Sequence, residues 1–494
     1  MRYPLATLFA ALISASLAHA ATPGQTACSQ IQGSLGQGKV ANPNLLNFQY
    51  QQSKNGYWNT RLNANNPACA VYPSSASDVS TSLKAIKAAG SRFAIKAGGH
   101  NPNANFSSTN NGVLLDMSKM TDKSYDPAKG TCTYQPGNKF GDLYEFYEQF
   151  GVTITGARLS GVGSGLGLGG GLSYLSGEYG LSVDGFQSLE VVLPSGEIVT
   201  ASKTSYPDLF FAMRGGGGNA YGVVTSYTVT ARKVGKFHSG LLVYALNETN
   251  RVLEAVHDFT RYNTNPKANL IATWEKIPLP DLNINLDEIF ILFAVYDGED
   301  PGNSYKNFTD IPHILDTRQV RSYVSTTRDL ATPFATDISK GSNTFRVSVH
   351  AIDDDTYKQA YDQWRAWAQR PEIKSKYMLT SLDFQPVLRS LTDASKSQGG
   401  NAMDMPDGPW FWLNYLLTTP PTLSASDYNE IQESFKEMVN VVPAAKNLPL
   451  FINDAAYDQN PLPTFSTYQR LKSIKAKYDP DGFFSSKTGG WAFP

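Results

Sequence analysis

Two glycine tracts constrain this chain more than any other feature, "GVGSGLGLGGGLSYLSGEYGLSVD" at 161–184 and "FFAMRGGGGNAYGVVTSYTV" at 210–229. Glycine loses more conformational freedom on folding than any other residue, so runs this dense carry an entropic cost that the fold must offset. A backbone lying against a flat or charged ligand offsets it, because N–H groups then meet the ligand where a Cβ would hold it away. Gly165 to Gly170 satisfies G-x-G-x-x-G, yet the residues leading into it, "GARLSGVGS", form no hydrophobic strand. A Rossmann dinucleotide site needs that strand and an acidic residue about 20 positions further on, so a nicotinamide site is rejected. GxxxxGK[ST], HExxH and GxSxG do not occur, which leaves P-loop, zincin and α/β-hydrolase chemistry without a foothold.

A third glycine pair sits in "IKAGGHNPNANFSS" at 95–108, where Gly98 and Gly99 precede His100 and little in the stretch is charged. The glycines let the backbone turn sharply or approach a ligand closely. A lone histidine is more often structural than functional, so this one needs support from the rest of the chain.

At 494 residues the chain exceeds what one hydrophobic core organises, and two domains are expected. From about 67 to 235 short β-rich runs alternate with helices. "DVSTSLKAIKAAG" carries Val79, Leu83 and Ile86 at helical spacing and closes on Gly90, and "SLEVVLPSGEIVTAS" reads as two strands joined at Pro-Ser-Gly. Between about 236 and 440 the glycine clusters vanish. Strand-like runs such as "EIFILFAVYDG" and "PWFWLNYLLTTP" alternate there with helical ones such as "NRVLEAVHDFTRYN". The shift marks a second domain, an antiparallel sheet with helices on one face. "TYQRLKSIKAKYDPDGFFSS" is a last helix, stopped by Asp-Pro-Asp-Gly.

The net charge of -1, with lysines and arginines scattered singly, offers no footprint for nucleic acid or for an anionic membrane. Residues 1–20, with Arg2, an apolar run from Leu5 to Leu17 and Ala18-His19-Ala20, read as a secretory signal cleaved after Ala20, and a secreted protein is expected. Sequons at Asn105, Asn247 and Asn307 agree with that route. The three cysteines have no metal-ligand spacing. One disulfide and one free thiol is the simplest arithmetic in an oxidising compartment, with Cys28 and Cys69 the favoured pair because it would pin the N-terminal segment, and Cys132 a small buried residue.

"RFAIKAGGH", "GVLLDMSKM", the 161–184 tract, "DLFFAMRGGGGNAYGVVTSYTV" and "YDPDGFF", in this order, resemble the FAD-linked oxidases of the berberine-bridge-enzyme-like group within the vanillyl-alcohol-oxidase superfamily, particularly its secreted fungal members. The likeness runs over nearly the whole mature chain. It implies an α+β fold in which a two-lobed PCMH-type FAD-binding domain (21–235) carries the antiparallel-sheet substrate domain (236–440), with a C-terminal return to the FAD domain (441–494). It further implies that His100 bonds covalently to the 8α-methyl carbon of FAD. Lys96, Gly98, Gly99, Asn101, Gly161, Gly163, Gly165, Gly169, Gly170, Gly171, Gly222, Val224 and Asn453 would line the cofactor, and Gly215 to Gly218 with Asn219 would shape its floor.

The chain departs from the family in two places. Many relatives add a second tether from a cysteine that would fall near Arg158, and "GARLSG" has none, so a single link through His100 is expected. Relatives commonly place a tyrosine base in an aromatic-x-Asn pattern; here Phe451 stands at the phenol's position before Asn453, and phenylalanine cannot take a proton. Tyr457, Asp454 and Tyr415 are the candidate replacements. The resemblance implies hydride transfer from a small organic substrate, reoxidation by oxygen to hydrogen peroxide, a role in fungal secondary metabolism and a monomer. A sugar or alcohol oxidase is the alternative within the class, and a flavin-binding protein without oxidase activity the alternative outside it.

Overall fold

In a computed structural model of the chain, residues 20–276, 288–330, 341–353, 355–491 and 493 are described. Apart from Ala20, the secretory signal expected at 1–20 lies outside them. Strands β1 (Val40–Ala41), β2 (Cys69–Val71), β3 (Phe93–Lys96) and β4 (Val113–Asp116) form a sheet in the order β1-β2-β4-β3. The β2–β4 and β4–β3 pairings are parallel, and β1 pairs antiparallel with β2 at the edge. The helix Ala76–Ala89 links β2 to β3. Ser75 caps it by accepting the Asp78 N–H at 3.2 Å, Val79, Leu83 and Ile86 are buried, and Gly90 ends it at φ +65°. A disulfide joins Cys28, in the helix Pro23–Leu35, to Cys69 in β2. Cys132 is a free, buried thiol whose pKa is pushed up to about 12 by burial.

The next strands are β5 (Lys123–Asp126), β6 (Thr131–Tyr134), β7 (Val152–Thr153), β8 (Phe186–Val192), β9 (Ile198–Ser202), β10 (Val223–Thr230) and β11 (Arg232–Lys233). β7 pairs with β11, and the other five make an antiparallel sheet in the order β5-β6-β10-β8-β9. The hairpin expected at Pro-Ser-Gly connects β8 to β9, with Gly196 at φ +84°.

Strands β12 (Lys236–Tyr244), β13 (Ala268–Lys276), β14 (Ile289–Asp297), β15 (Leu315–Asp316), β16 (Gln319–Ser322), β17 (Ser342–Ala351), β18 (Leu379–Val387) and β19 (Trp410–Thr419) form the largest sheet. Its order is β15-β12-β14-β13-β18-β19-β17, with β16 also on β12, and every pairing is antiparallel. Successive side chains point to opposite faces. One set, including Trp274, Phe384, Leu413 and Tyr415, packs in a core with residues of the helices Thr249–Tyr262, Thr356–Ala368 and Ala425–Val441. The other set, including Ile291, Phe293, Val349, Val387 and Trp412, shares a core with Leu189 and Tyr227 of the second sheet. The chain is therefore α+β, and the large sheet turns one face to its own helices and the other toward the glycine-rich part.

After that sheet the chain returns. In the helix Tyr468–Tyr478, Leu471 and Ile474 join the core that holds Leu209 and Phe210, and Lys475 Nζ donates to the Ala220 carbonyl at 2.6 Å. Phe483 and Phe484 pack on Phe93 of β3. No helix among the described residues is long and apolar enough to cross a membrane.

Candidate cofactor cradle and catalytic face

β3 runs into the Gly-Gly-His turn, where Gly99 has φ +70°. A Cβ on Gly98 would stand 2.6 Å from Gly163 Cα, so the His100 turn and the 161–171 loop meet backbone to backbone. Gly161 and Gly165 differ from these: they are exposed, a Cβ on either would meet nothing within 4 Å, and neither has a left-handed φ. Nothing in the protein's own packing demands glycine there, whereas a ligand lying against that loop would. At the far end of the loop Asn453 accepts the Gly171 N–H at 3.0 Å and donates to the Leu166 carbonyl at 3.0 Å, and a Cβ on Gly169 would collide with its amide. Gly170 has φ +108° and Gly171 φ +78°.

The remaining expected cofactor residues divide. Lys96 is buried as a brace, its Nζ donating to the Ser53 carbonyl at 2.7 Å and lying 3.7 Å from Asp116. Asn101 is exposed and accepts the Asn103 N–H. Gly222 immediately precedes β10 and Val224 lies in it, and a Cβ on Gly222 would meet the Val192 carbonyl at 2.7 Å, which is sheet packing. Asn219 Nδ2 ties the Phe106 and Gly489 carbonyls together at 2.7 and 2.9 Å.

His100 is stacked on Trp58, with ring centroids 4.5 Å apart and planes 10° from parallel. Burial, then the positive charge of Lys139, pushes its pKa down to about 4, so the imidazole is neutral at ordinary pH. A neutral imidazole keeps a free lone pair and can act as a nucleophile.

Opposite lies the inner face of the large sheet. Its register places Phe345, Leu416, Ser381 and Glu275 in one row across β17, β19, β18 and β13, and Val347, Asn414, Asp383 and Thr273 in the next. Val349, Trp412 and Gln385 follow in a third. Phe345 leans on Trp58 at 5.1 Å, which links the first row to His100. Trp412 stacks on Phe451 at 4.5 Å, and Phe451 lies against Gly170, which links the third row to the glycine loop. The polar second row thus lies between the two ends of the cradle.

Three carboxyl groups gather on this face. Asp383 retains partial exposure and receives Asn414 Nδ2 at 3.3 Å. Burial raises its pKa to about 7, against the hydroxyls of Ser381 and Thr273, which pull it down; Asp454 adds to the rise and Arg158 opposes it. Glu275 is pushed to about 8 by burial and by the charge of Asp383. Asp454 is also raised by burial, with Arg158 and Gln385 acting the other way. Gln385 Nε2 donates to Asp454 at 2.7 Å while its Oε1 accepts from Arg158. Two buried oxygen atoms on this face, Asn414 Oδ1 and Glu275 Oε2, have no hydrogen-bond partner.

Of the candidate bases, only Asp454 is here. Tyr415 follows Asn414 on β19 and so points to the helix-covered face, where its hydroxyl is 3.4 Å from Ser348 Oγ. Tyr457 is 63% exposed, because the chain turns out after Ala456 and Gln459 then binds the β17 edge at Val347. Phe451 is buried against Trp412, as an aromatic ring without a titratable group. Asp383, Glu275, Asn414 and Trp58 were not singled out by the sequence. Each stands alone in its strand or loop, and only the sheet register and the Gly-Gly-His turn bring them together.

A cleft of about 880 Å³ lies elsewhere, beside the helix Pro23–Leu35, and is lined by Lys54 and neutral side chains such as Gln25, Gln32, Asn42 and Asn66. It includes none of the cradle or sheet-face residues. No His, Cys, Asp and Glu cluster able to hold a metal ion occurs among the described residues.

Residues 67–202 match the family described as FAD binding domain, and residues 466–489 the family described as berberine and berberine like. Over 469 residues the chain is 33% identical to an uncharacterized FAD-linked oxidoreductase of Arthroderma benhamiae, with 91% of each chain covered. It is 30% identical over 440 residues to the FAD-dependent monooxygenase macF of Penicillium terrestre, covering 85% of this chain and 80% of that one. Among solved structures it resembles the xylooligosaccharide oxidase of Myceliophthora thermophila with a TM-score of 0.75 at 17% identity, over 93% and 98% of the two chains, a likeness of fold.

Proposed function

The chain belongs to the FAD-linked oxidoreductases of the berberine-like group, and from that premise we propose that it is an exported oxidase that oxidises a hydroxyl-bearing organic substrate with Asp383 as the base. The observation that carries this reading is the buried carboxyl cluster of the inner sheet face, opposite the Gly-Gly-His turn and the glycine loop. FAD suits the residues present: Gly161 and Gly165 leave an open backbone face, and His100 offers a neutral imidazole at the other side of the loop contact. His100, the 161–171 loop and Asn453 would hold it, with His100 as the single covalent link.

When bound, the flavin supplies the hydride acceptor, which no side chain can provide. The protein's part is to remove a proton and fix the reacting carbon. Asp383 would take the proton from the substrate hydroxyl, and a carboxyl that titrates at about 7 is matched to that task near neutral pH. Asn414 Nδ2 and the hydroxyls of Ser381 and Thr273 hold that carboxylate in place and stabilise its charge. Arg158, through Gln385, anchors Asp454 beside it. The Asp383 carboxylate also meets the difficulty that Phe451 raises, since the base need not come from the aromatic-x-Asn segment. The net reaction is conversion of a secondary or primary alcohol and dioxygen to a carbonyl compound and hydrogen peroxide.

A setting in fungal secondary metabolism is part of this reading, and the fungal source of relatives such as macF of Penicillium terrestre supports the fungal part of it. A sugar or simple alcohol is the second reading. It is favoured by the unpartnered Asn414 Oδ1, an acceptor, and by the unpartnered Glu275 Oε2 of a carboxyl that holds its proton below about pH 8, which together call for a substrate whose hydroxyls both donate and accept. The deciding experiment is an anaerobic screen of flavin bleaching against sugars, simple alcohols and phenolic or indolic metabolites, followed by peroxide measurement in air. Bleaching with peroxide release is expected. Bleaching by no donor would leave a flavin-binding protein without oxidase activity, and an oxygenated product in place of peroxide would make it a monooxygenase.

A further inference from the structure

We infer that Trp58 is the positioning residue that sets the imidazole plane of His100 for its bond to the cofactor. The inference rests on the covalent link proposed above and goes beyond it, by naming the group that makes the link efficient.

The indole lies face to face with the imidazole, 4.5 Å between centroids and 10° from parallel. The reactive lone pair of a neutral imidazole lies in the ring plane. A plate against the face therefore leaves the nucleophilic edge open while removing the tilt that would swing it off line. Stacking of this kind restrains the ring without consuming its nitrogen atoms.

Trp58 is itself clamped from several sides. Its N–H donates to the Gly99 carbonyl at 3.0 Å, within the His100 turn. Its carbonyl accepts Asn343 Nδ2 at 3.0 Å, and its ring leans on Phe345 at 5.1 Å, both residues of β17. Two residues on, Thr60 donates through both N–H and hydroxyl to the Gly341 carbonyl at 3.2 and 2.9 Å. The plate is thus held by the substrate sheet and presented to the flavin-binding turn. Gly99 supplies an independent sign of the same arrangement. At φ +70°, a Cβ there would stand 2.5 Å from the Gly56 carbonyl, so any side chain would force the segment that carries Trp58 off the turn.

In the step concerned, a C–N bond forms between a His100 nitrogen and the 8α carbon. That carbon loses one hydrogen as a proton, the imidazole gives up its N–H proton, and the two electrons left on the ring system pass with these two protons to dioxygen as the oxidant, giving hydrogen peroxide. Trp58 takes no part in the bonding. Its loss should slow attachment, by about tenfold for a stacking contact of ordinary strength, while cofactor binding persists through the glycine loop.

The test uses purified holoprotein of the wild type and of Trp58→Ala, Trp58→Leu and Trp58→Phe, with His100→Ala as the unlinked control. Total bound flavin is read by absorbance, the covalent share by the flavin retained on acid precipitation, and its growth followed during incubation with added FAD in air. Expected are an acid-stable flavin in the wild type and in Trp58→Phe, and in Trp58→Ala and Trp58→Leu a bound flavin that becomes acid-stable about tenfold more slowly. If Trp58→Ala fails to fold, the Leu and Phe pair decides, since both fill space and only one has an aromatic face. Attachment at the wild-type rate in Trp58→Leu overturns the inference. Release of all flavin by the wild type itself overturns the covalent link, and is distinguishable because no variant is then needed to produce it.

Discussion

Glu275→Gln should make the protein more stable at alkaline pH, and by an amount that grows as pH rises. Glu275 is 5% exposed, and one of its carboxylate oxygens has no partner. Its carboxyl titrates at about 8 against 4.5 for an unperturbed glutamate, because burial and the charge of Asp383 disfavour the ionised form. Below about pH 4.5 the group holds its proton in the folded and the unfolded chain, and contributes nothing. Between 4.5 and 8 only the folded chain holds it, so unfolding releases a proton and stability falls as pH rises. At roughly 1.4 kcal/mol per tenfold change in acidity, the loss approaches about 4 kcal/mol by pH 8. With about 2.1 cal/mol/K of unfolding entropy per residue, that corresponds to about 4 °C in Tm for a chain of this length. Glutamine keeps the shape and has no proton to lose. Thermal melts of both proteins in matched buffers from pH 4.5 to 8.5 give the readout, and the difference in Tm should open by a few degrees in favour of the variant. Parallel curves, with no widening between pH 5 and 8, would refute the claim that this carboxyl is held neutral by its site.

Asp383→Asn should lower the rate of anaerobic flavin reduction by about a hundredfold to ten-thousandfold and abolish a rise in rate through about pH 7, where the wild-type base ionises; an unchanged profile would remove Asp383 as base. Thiol titration should find no reactive cysteine in the native protein and one, Cys132, after denaturation, and reducing Cys28–Cys69 should cost about 4 kcal/mol for a closed loop of this size; three thiols without reductant would contradict the bond. Intact-mass analysis of secreted protein should show a chain that begins after Ala20 and carries glycan on at least one of Asn105, Asn247 and Asn307, all of which are exposed; retention of Met1 would contradict export by cleavage.

The glycine tracts and the Gly-Gly-His turn were legible in the sequence because their meaning is local: a missing Cβ is a property of one residue and survives without knowledge of its neighbours. The same holds for the capped helix at Ser75 and the hairpin at Pro-Ser-Gly. The catalytic face was not legible, and β19 shows why. Every residue from Trp410 to Thr419 is buried, since helices cover one side of the sheet and the glycine-rich part covers the other. A strand buried on both faces loses the alternation that tells inside from outside, so Tyr415 looked as available as its neighbour. Pairing fixes the matter, because Asn414 stands opposite Asp383 and Tyr415 opposite Leu382. A one-residue difference in register exchanges the two faces. The consequence can be measured with two single changes on adjacent residues. Tyr415→Phe removes a hydroxyl that contacts only Ser348 on the helix side, and should leave the rate of flavin reduction and its pH profile unaltered. Asn414→Leu removes the amide that donates to Asp383 and should lower that rate by about tenfold, with the rise in rate moved to higher pH, because the charged carboxylate loses a donor. The opposite result, a slow Tyr415→Phe and an unaffected Asn414→Leu, would mean that the helix-covered face is the reacting one, and would take Asp383 out of the mechanism with it.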